Sequence, residues 1–509
     1  MWQRFSLYDV RIIGHYLGVL VLFSSFSLLV PLLTAFACQE WVPASHYFLT
    51  MGITLILGSA LRFLRIDSVR LNRQQALAVT GLSWIVLACV AAIPLYLSGH
   101  YENYLDALFD GVSGLTTTGA SILQDLDHLS YADNMWRFVM HFVGGLGLIV
   151  VALSFGLFGK RVGTSLYSAE ARSEHVLPNI VQTTRTLARI SLIIIVLATA
   201  VISLICIFIG MEPLRAFLQS LWLAISGFMT GGFAPMSNSV MYYHSLGIEV
   251  VLMVLMVLGS ISFVLHAEIW KGKTSTFFRD IEIRTLGVWL AVMTLVFTAS
   301  LATSLHFSDL SAMLRRGLFM VISAFSTTGY QNITSNQLAT VFTSGAFFTL
   351  TMIMAVGGSA GSTSGGIKFS RVGIIAKSIA VNIKETLAPD SARVAVGYNH
   401  MGRRLVSPEI VKEAMTVFTL YIITYAIGAL VGIAHGYEAT QAIFESVAMT
   451  SNAGLSLGIV SSGMPVGLEL TYLFQMWAGR LEFVALLALI IEVVVSFKPR
   501  NLRLGKARR

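Results

Sequence analysis

Charge is scarce in this chain. Only 12% of its 509 residues are Asp, Glu, Lys or Arg, 55% are hydrophobic, and the mean hydropathy is +0.76. That balance excludes an ordinary soluble domain and points to an integral membrane protein. Cysteine is nearly missing. Cys38, Cys89 and Cys206 lie in or beside apolar runs, at no metal-ligand spacing, which argues against a disulfide framework. No GxxxxGKS/T, no GxGxxG in a strand–helix setting and no HExxH occurs. Nothing here hydrolyses ATP, no cofactor is expected, and the chain does not read as an enzyme. His141, His266 and His306 stand alone and read as helix-end or packing residues. The first apolar run is full length and lacks a small-residue cleavage site, so it does not read as a signal peptide.

What the chain has is long apolar runs. They fall near 12–36, 44–64, 76–98, 135–158, 187–210, 246–270, 285–305, 341–367, 412–434 and 470–497. About 20 apolar residues cross the hydrocarbon core, so each is long enough to span. With Arg4 and Arg11 placed in the cytoplasm, the inside loops collect the basic residues. They hold Arg62, Arg65, Arg70 and Arg73; Lys160, Arg161, Arg172 and Arg185; Lys271, Lys273, Arg279 and Arg284; Lys368 to Lys412; and a tail from Lys498. Outside loops hold only Arg215, Arg315 and Arg316. This is a positive-inside pattern with both termini cytoplasmic. The net charge of +8 therefore reflects topology and not nucleic-acid binding. The outer loops carry Glu40, Glu102, Asp106, Asp125, Asp127, Asp133, Glu212, Asp309, Glu438 and Glu469. These read either as an acidic mouth that concentrates cations or as ordinary solvated loop acids.

One interval recurs four times. An aromatic residue is followed ten positions later by glycine: Phe109 to Gly119, Trp222 to Gly232, Phe319 to Gly329, Phe444 to Gly454. The segments align without gaps as FDGVSGLTTTGAS, WLAISGFMTGGFA, FMVISAFSTTGYQ and FESVAMTSNAGLS. The first half of each suits a short buried helix and the second half a turning backbone. Irregular backbone at membrane depth is tolerated where it lines an aqueous cavity. One such glycine would only permit close helix packing. Four in register, each between two spans, predict an all-α membrane fold of four pseudo-fourfold repeats around one pore. Each repeat is a helix, a re-entrant pore helix and a second helix. The divisions are 1–70 for an N-terminal transmembrane helix pair, then 71–165, 183–275, 280–395 and 405–509 for the repeats. A cation sheds its water for oxygen ligands, which four inward backbones supply, and the short helices aim their negative ends inward. The expected ligand levels are Thr116, Thr117, Thr118 and Gly119; Met229, Thr230, Gly231 and Gly232; Ser326, Thr327, Thr328 and Gly329; Ser451, Asn452, Ala453 and Gly454. Asp110 and Glu445 share one repeat position and either pair with the filter backbone or hold the short helices.

On the segments TTTGAS, TGGF, STTGY and SNAGLS the chain resembles the Trk/Ktr/HKT superfamily of potassium transport proteins. The likeness covers nearly the whole chain, and the N-terminal pair is similar to the bacterial Trk membrane subunits and not to the shorter Ktr subunits. The resemblance implies potassium bound as substrate at the filter residues, with Gly119, Gly232, Gly329 and Gly454 as the four filter glycines. Plant relatives with serine at the first glycine admit sodium, so Gly119 implies potassium preference. The irregular fourth strand, Asn452–Ala453, leaves a sodium-permeable or ion-coupled transporter of the same fold as the alternative. The resemblance also implies a homodimer with one pore per subunit, a bacterial inner membrane, and a cytosolic nucleotide-binding partner of TrkA type.

Two further features match. Gly357, Gly358, Gly361, Gly365 and Gly366 crowd into the second helix of the third repeat. Glycine costs about 1 kcal/mol relative to alanine in a helix, so a flexible loop just below the filter is expected. By resemblance it is an intramembrane gate. Arg480 sits inside the last span, where a charge costs roughly 2.5–3.5 kcal/mol, which marks a functional candidate. By resemblance it projects into the pore and opposes cations. Glu482 is a poor partner for it, because residues two apart on a helix do not face each other. Glu492 is expected near the cytoplasmic interface.

Overall fold

The computed structural model describes residues 5–64, 71–154, 162, 164–166, 180–302, 310–334, 338, 343–389 and 394–497. Outside them lie Arg4, Arg65, Arg70, Lys160, Arg161, Arg172, His306, Asp309 and the tail from Lys498.

Helix formation follows from apolar runs opened by capping residues. Ser6 accepts from the Asp9 amide while Asp9 accepts from Ser6, and Asn72 and Gln75 do the same, each pair closing a capping box. Pro213 and Pro408 stand at first helical positions, where a missing N–H costs nothing. Among the described residues, six helices are long and apolar enough to cross a membrane, or eight if each of two bent pairs is one span. Burial ranks them: 67% of the core window of Arg73–Leu97 is inside the protein, against 17% for Ile281–Leu301. The first is therefore an inner helix and the second faces lipid.

The N-terminal pair is Leu7–Ser27 with Leu29–Ala37, then Trp41–Arg62. It is fastened to the next unit at both ends. Gln75 Nε2 donates to Asp9 at 2.7 Å. Tyr47 donates to Asp133 at 2.7 Å, and Glu40 accepts from the Tyr131 and Ala132 amides at 2.8 and 2.9 Å. Burial pushes the Glu40 carboxyl above its usual range, opposed by those two amides. Glu40 and Asp133 thus hold a helix start, which removes them from the acidic mouth anticipated from charge alone.

Four helical units follow. The first is Arg73–Leu97, Tyr104–Leu115 and Tyr131–Leu146 with Leu148–Ser154. The second is Ile180–Phe208, Pro213–Phe228 and Leu246–Ser260 with Phe263–Trp270. The third is Ile281–Ala302, Leu310–Phe325 and Ser344–Ala355 with Phe369–Leu387. The fourth is Pro408–Ala434, Ala439–Thr450 and Val466–Arg480 with Val484–Phe497. Among the described residues the strands are confined to one short antiparallel hairpin, Gly397–Asn399 with Arg403–Leu405.

The spans at 135–158, 246–270 and 470–497 are not continuous. Every unit's last helix breaks, not only the glycine-rich third. The bend is 88° after Leu146 and 101° after Ser260. At the fourth break Glu482 and Phe483 take positive φ of 51° and 66°. Each break frees helix carbonyls, and each finds a donor in the protein, as burial in lipid requires. Gly144 and Gly145 accept from Arg480; Leu258 from His266 at 2.9 Å; Gly259 from the Thr363 hydroxyl at 2.8 Å; Ser260 from the Ser359 amide at 2.8 Å. Ala355 accepts from the Ile367 amide at 3.0 Å and Gly479 from Tyr421 at 3.1 Å.

Candidate functional site

The four short helices end alike. One residue past each cap the chain enters the left-handed region: Thr117 at φ 54°, Thr230 at 50°, Thr327 at 53° and Asn452 at 53°. The next amide reaches back to a helix carbonyl. Thr118 bonds Ser113 at 2.9 Å, Gly231 bonds Ser226 at 2.8 Å, Thr328 bonds Ser323 at 2.9 Å and Ala453 bonds Ala448 at 2.8 Å. This is the Schellman closure, normally made with glycine. A side chain there costs roughly 1–2 kcal/mol, so four such residues in register mark strain held by the surrounding fold.

Two residues on, Gly119, Gly232, Gly329 and Gly454 again have positive φ, of 79°, 84°, 92° and 61°. A Cβ on Gly119 would lie 2.1 Å from the Gly231 oxygen, and one on Gly232 2.0 Å from that of Thr328. On Gly329 it would lie 2.3 Å from the Ala453 oxygen, and on Gly454 1.9 Å from that of Thr118. Each glycine is thus pressed against the carbonyl preceding the next unit's glycine, and the fourth contact returns to the first unit. The four turns close a ring in chain order.

Most of the ring's polar side chains bond protein, the Thr117 hydroxyl being the buried exception. The Thr116 and Thr118 hydroxyls pair at 2.8 Å, as do Ser326 and Thr328 at 2.7 Å. Asn452 donates to the Thr118 hydroxyl at 3.0 Å and to the Met476 carbonyl at 2.9 Å. Thr230 donates to Thr363 at 3.1 Å, and Thr327 accepts from the Gly365 amide at 2.8 Å. The oxygens offered in common by all four turns are those of the backbone.

Behind the ring, Asp110 and Glu445 have equivalent tasks. Asp110 accepts from Ser121 at 2.6 Å, the Ile122 amide at 2.9 Å and Tyr101 at 2.9 Å. Glu445 accepts from Ser456 at 2.7 Å and the Leu457 amide at 2.7 Å. Both tie the short helix to the chain leaving its turn. The sequence reading passed over Arg137. It is fully buried, faces Asp110 electrostatically, donates to Ala234 at 3.3 Å and lies 4.1 Å over the Phe233 ring. A lone arginine in an apolar helix was the available signal. His141 packs on Phe233 with centroids 4.4 Å apart and abuts Gly231, a packing role as expected.

The segment 356–368 lies against the capped ends of the turns. Ser364 donates to the Ser326 carbonyl at 2.8 Å, and a Cβ on Gly365 would sit 2.1 Å from the Ser451 oxygen. The loop is largely buried, bonds the second unit through the Ser359 amide and the Ser260 carbonyl, and closes on itself where the Gly357 and Phe369 amides bond the Ile367 and Gly358 carbonyls at 3.2 and 3.1 Å. Arg480 donates to Thr363 at 2.8 Å and to Gly144, bridging this loop to the first unit's break. Glu482 pairs with Arg371. Lys368 donates to the Ser364 carbonyl. Among these groups lies a cavity of about 40 Å³ lined by Trp84, Gly147, Ser364, Lys368, Gly479 and Arg480, room for about three waters.

Membrane-length helices around four converging, carbonyl-bearing turns define a multi-pass membrane transport protein. The chain belongs to the TrkH family of cation transport proteins, whose model matches residues 44–496. These are transporters and not enzymes. Over 489 residues the chain is 29% identical to an uncharacterized cation transporter of Methanocaldococcus jannaschii, covering 96% of each. It is 29% identical over 495 residues to the Trk system potassium uptake protein TrkH of Salmonella typhimurium, covering 94% of this chain and 98% of that one. The fold is similar to the crystal structure of the potassium transporter TrkH from Vibrio parahaemolyticus, with a TM-score of 0.81 at 23% identity over 96% of this chain and 100% of that chain.

Proposed function

We propose that this chain takes up potassium across a bacterial cytoplasmic membrane through a filter made of its four turns. The observation that carries the reading is the closed order of glycine-to-carbonyl contacts from Gly119 to Gly454. Backbone oxygens in such a ring replace an ion's hydration shell. Relatives over nearly the full length carry the name potassium uptake protein. The membrane potential supplies about 2.3 kcal/mol per charge per 100 mV. Ions enter on the side of the short helices' N-termini, lose water between the turns and leave past segment 356–368.

That segment and Arg480 form the gate. The pinned loop, the small cavity and a guanidinium bridging two units support a closed resting path. Arg480→Ala is expected to raise resting rubidium flux about tenfold, the effect of lowering a barrier by ~1.4 kcal/mol. Unaltered flux through a folded variant would sink this role. Opening falls to a cytosolic nucleotide-binding partner of TrkA type, docking on the basic inside segments 368–412, 160–186 and 271–284. The working unit is a homodimer with both termini in the cytoplasm.

The test is rubidium flux into proteoliposomes, with and without competing sodium and a proton gradient. Uptake of rubidium well above sodium, independent of the proton gradient, is expected. Equal uptake of both ions would establish the sodium-permeable alternative instead.

A further inference from the structure

Away from the ring, three buried side chains converge that the ion path does not use. Asp280 precedes the helix Ile281–Ala302, Glu282 lies in its first turn, and His400 sits at the tip of the hairpin Gly397–Leu405. They are 1%, 0% and 8% exposed. One ligand atom from each lies within 4.8 Å of the others. We propose that Asp280, Glu282 and His400 bind a divalent transition-metal ion such as Zn²⁺ or Mn²⁺.

The chemistry of the donors fits. Two carboxylates offer two negative charges to a 2+ ion, and the imidazole supplies the nitrogen that borderline metals favour over Ca²⁺ or Mg²⁺. Around Zn²⁺, with metal–ligand distances near 2.1 Å, tetrahedral ligand atoms stand about 3.4 Å apart. His400 Nδ1 stands 3.2 and 3.4 Å from the two Asp280 oxygens. All three ligand atoms lie within 4.8 Å of one another, so donors at that limit close by roughly half an ångström to reach the ~4.2–4.4 Å that two zinc–ligand bonds can span.

The donors are also oriented from behind. Asp280 accepts from the Glu282 amide at 2.9 Å and the Met401 amide at 3.4 Å. Glu282 Oε1 accepts from the Ala360 amide at 2.9 Å. Such outer partners fix ligand geometry and raise affinity. Ala360 belongs to the loop 356–368. An ion here would therefore staple the hairpin to the loop and hold it against the turns. This coupling rests on the gate reading above, whereas the binding itself does not.

The test is isothermal titration of the purified full-length chain in detergent with ZnCl₂, MnCl₂ and MgCl₂, beside His400→Ala, His400→Gln and Asp280→Asn. The expected result is one Zn²⁺ or Mn²⁺ site per chain that the variants weaken tenfold or more, with Mg²⁺ far weaker. Cobalt substitution gives a second readout, visible absorption that the variants abolish. Loss of that band in variants with unchanged melting temperature supports the site. No ion bound, or equal binding by folded variants, overturns it. For the coupling, Zn²⁺ is expected to slow rubidium flux at least threefold in the parent and not in His400→Gln. Equal slowing of both, or of neither, overturns the coupling, and absence of rubidium flux in every sample counts against the transport reading while titration still reads the site.

Discussion

Gly119→Ser is expected to lower the potassium-to-sodium permeability ratio by tenfold or more. A Cβ at this position meets the Gly231 oxygen at 2.1 Å and Gly232 Cα at 2.7 Å, both backbone atoms of the neighbouring turn. They cannot rotate away like a side-chain end, so the turn must shift. The oxygen displaced immediately precedes Gly232 in the second turn. Loss of ~1.4 kcal/mol from the difference between two ions is a tenfold change in their ratio. The backbone adds its own penalty, because φ is 79° and the left-handed region costs an L-residue roughly 1–2 kcal/mol. Gly458 separates the two effects. It has φ 99° and nothing within 4 Å of its Cβ position. Gly458→Ser is therefore expected to lose stability without altering selectivity. Parallel bi-ionic permeability measurements check both, and an unchanged ratio in Gly119→Ser would remove Gly119 from the ion path.

Arg137→Ala is expected to destabilise the protein by roughly 1–3 kcal/mol, because it removes a fully buried donor and leaves the Ala234 carbonyl without it. Asp110 keeps its bonds from Ser121, Ile122 and Tyr101 but loses the nearby cation. The loss falls behind the first two turns, because Arg137 also holds Ala234 and covers Phe233. Combining it with Asp110→Asn is expected to recover 0.5–3 kcal/mol, the range for coupled neighbours. Thermal unfolding in detergent of both single variants and the double variant measures this. Strict additivity would show that the two side chains do not stabilise each other. Glu445→Gln is the contrast, since Glu445 accepts from the Ser456 hydroxyl and the Leu457 and Ile459 amides and no cation is lost with it.

The repeat was open to sequence reading because it is local. An aromatic anchor, a small apolar helix and a glycine ten residues on lie within one short segment, and each imposes its own geometry. Asp110 and Glu445 were visible as a shared position, and their bonds to residues 121–122 and 456–457 close over only eleven and twelve residues. Arg480 and the glycine run were visible because each is costly in an apolar helix. The breaks after Leu146, Ser260 and Arg480 were not, since apolar runs continue through them. Those helices break where other helices or loops supply donors for the freed carbonyls: Arg480 of the fourth unit for Gly144, Thr363 of the third for Gly259, and Tyr421 within the fourth unit for Gly479. Arg137 carried the same signal as Arg480, a charge in an apolar helix, but its contacts with Ala234 and Phe233 come from another unit. His400 and Asp280 stand 120 residues apart, a separation over which spacing carries no signal.

By itself the sequence determined the membrane class and the helical architecture, and it predicted the repeat and the residues of each turn. These follow from hydropathy, from the length needed to cross a bilayer and from glycine's access to positive φ. Only the tertiary structure decided that the turns meet in chain order, that all four last helices break, and which charges face each other. Those features exist because a buried carbonyl or charge takes whichever donor the packing brings near, and that choice is made across the whole chain.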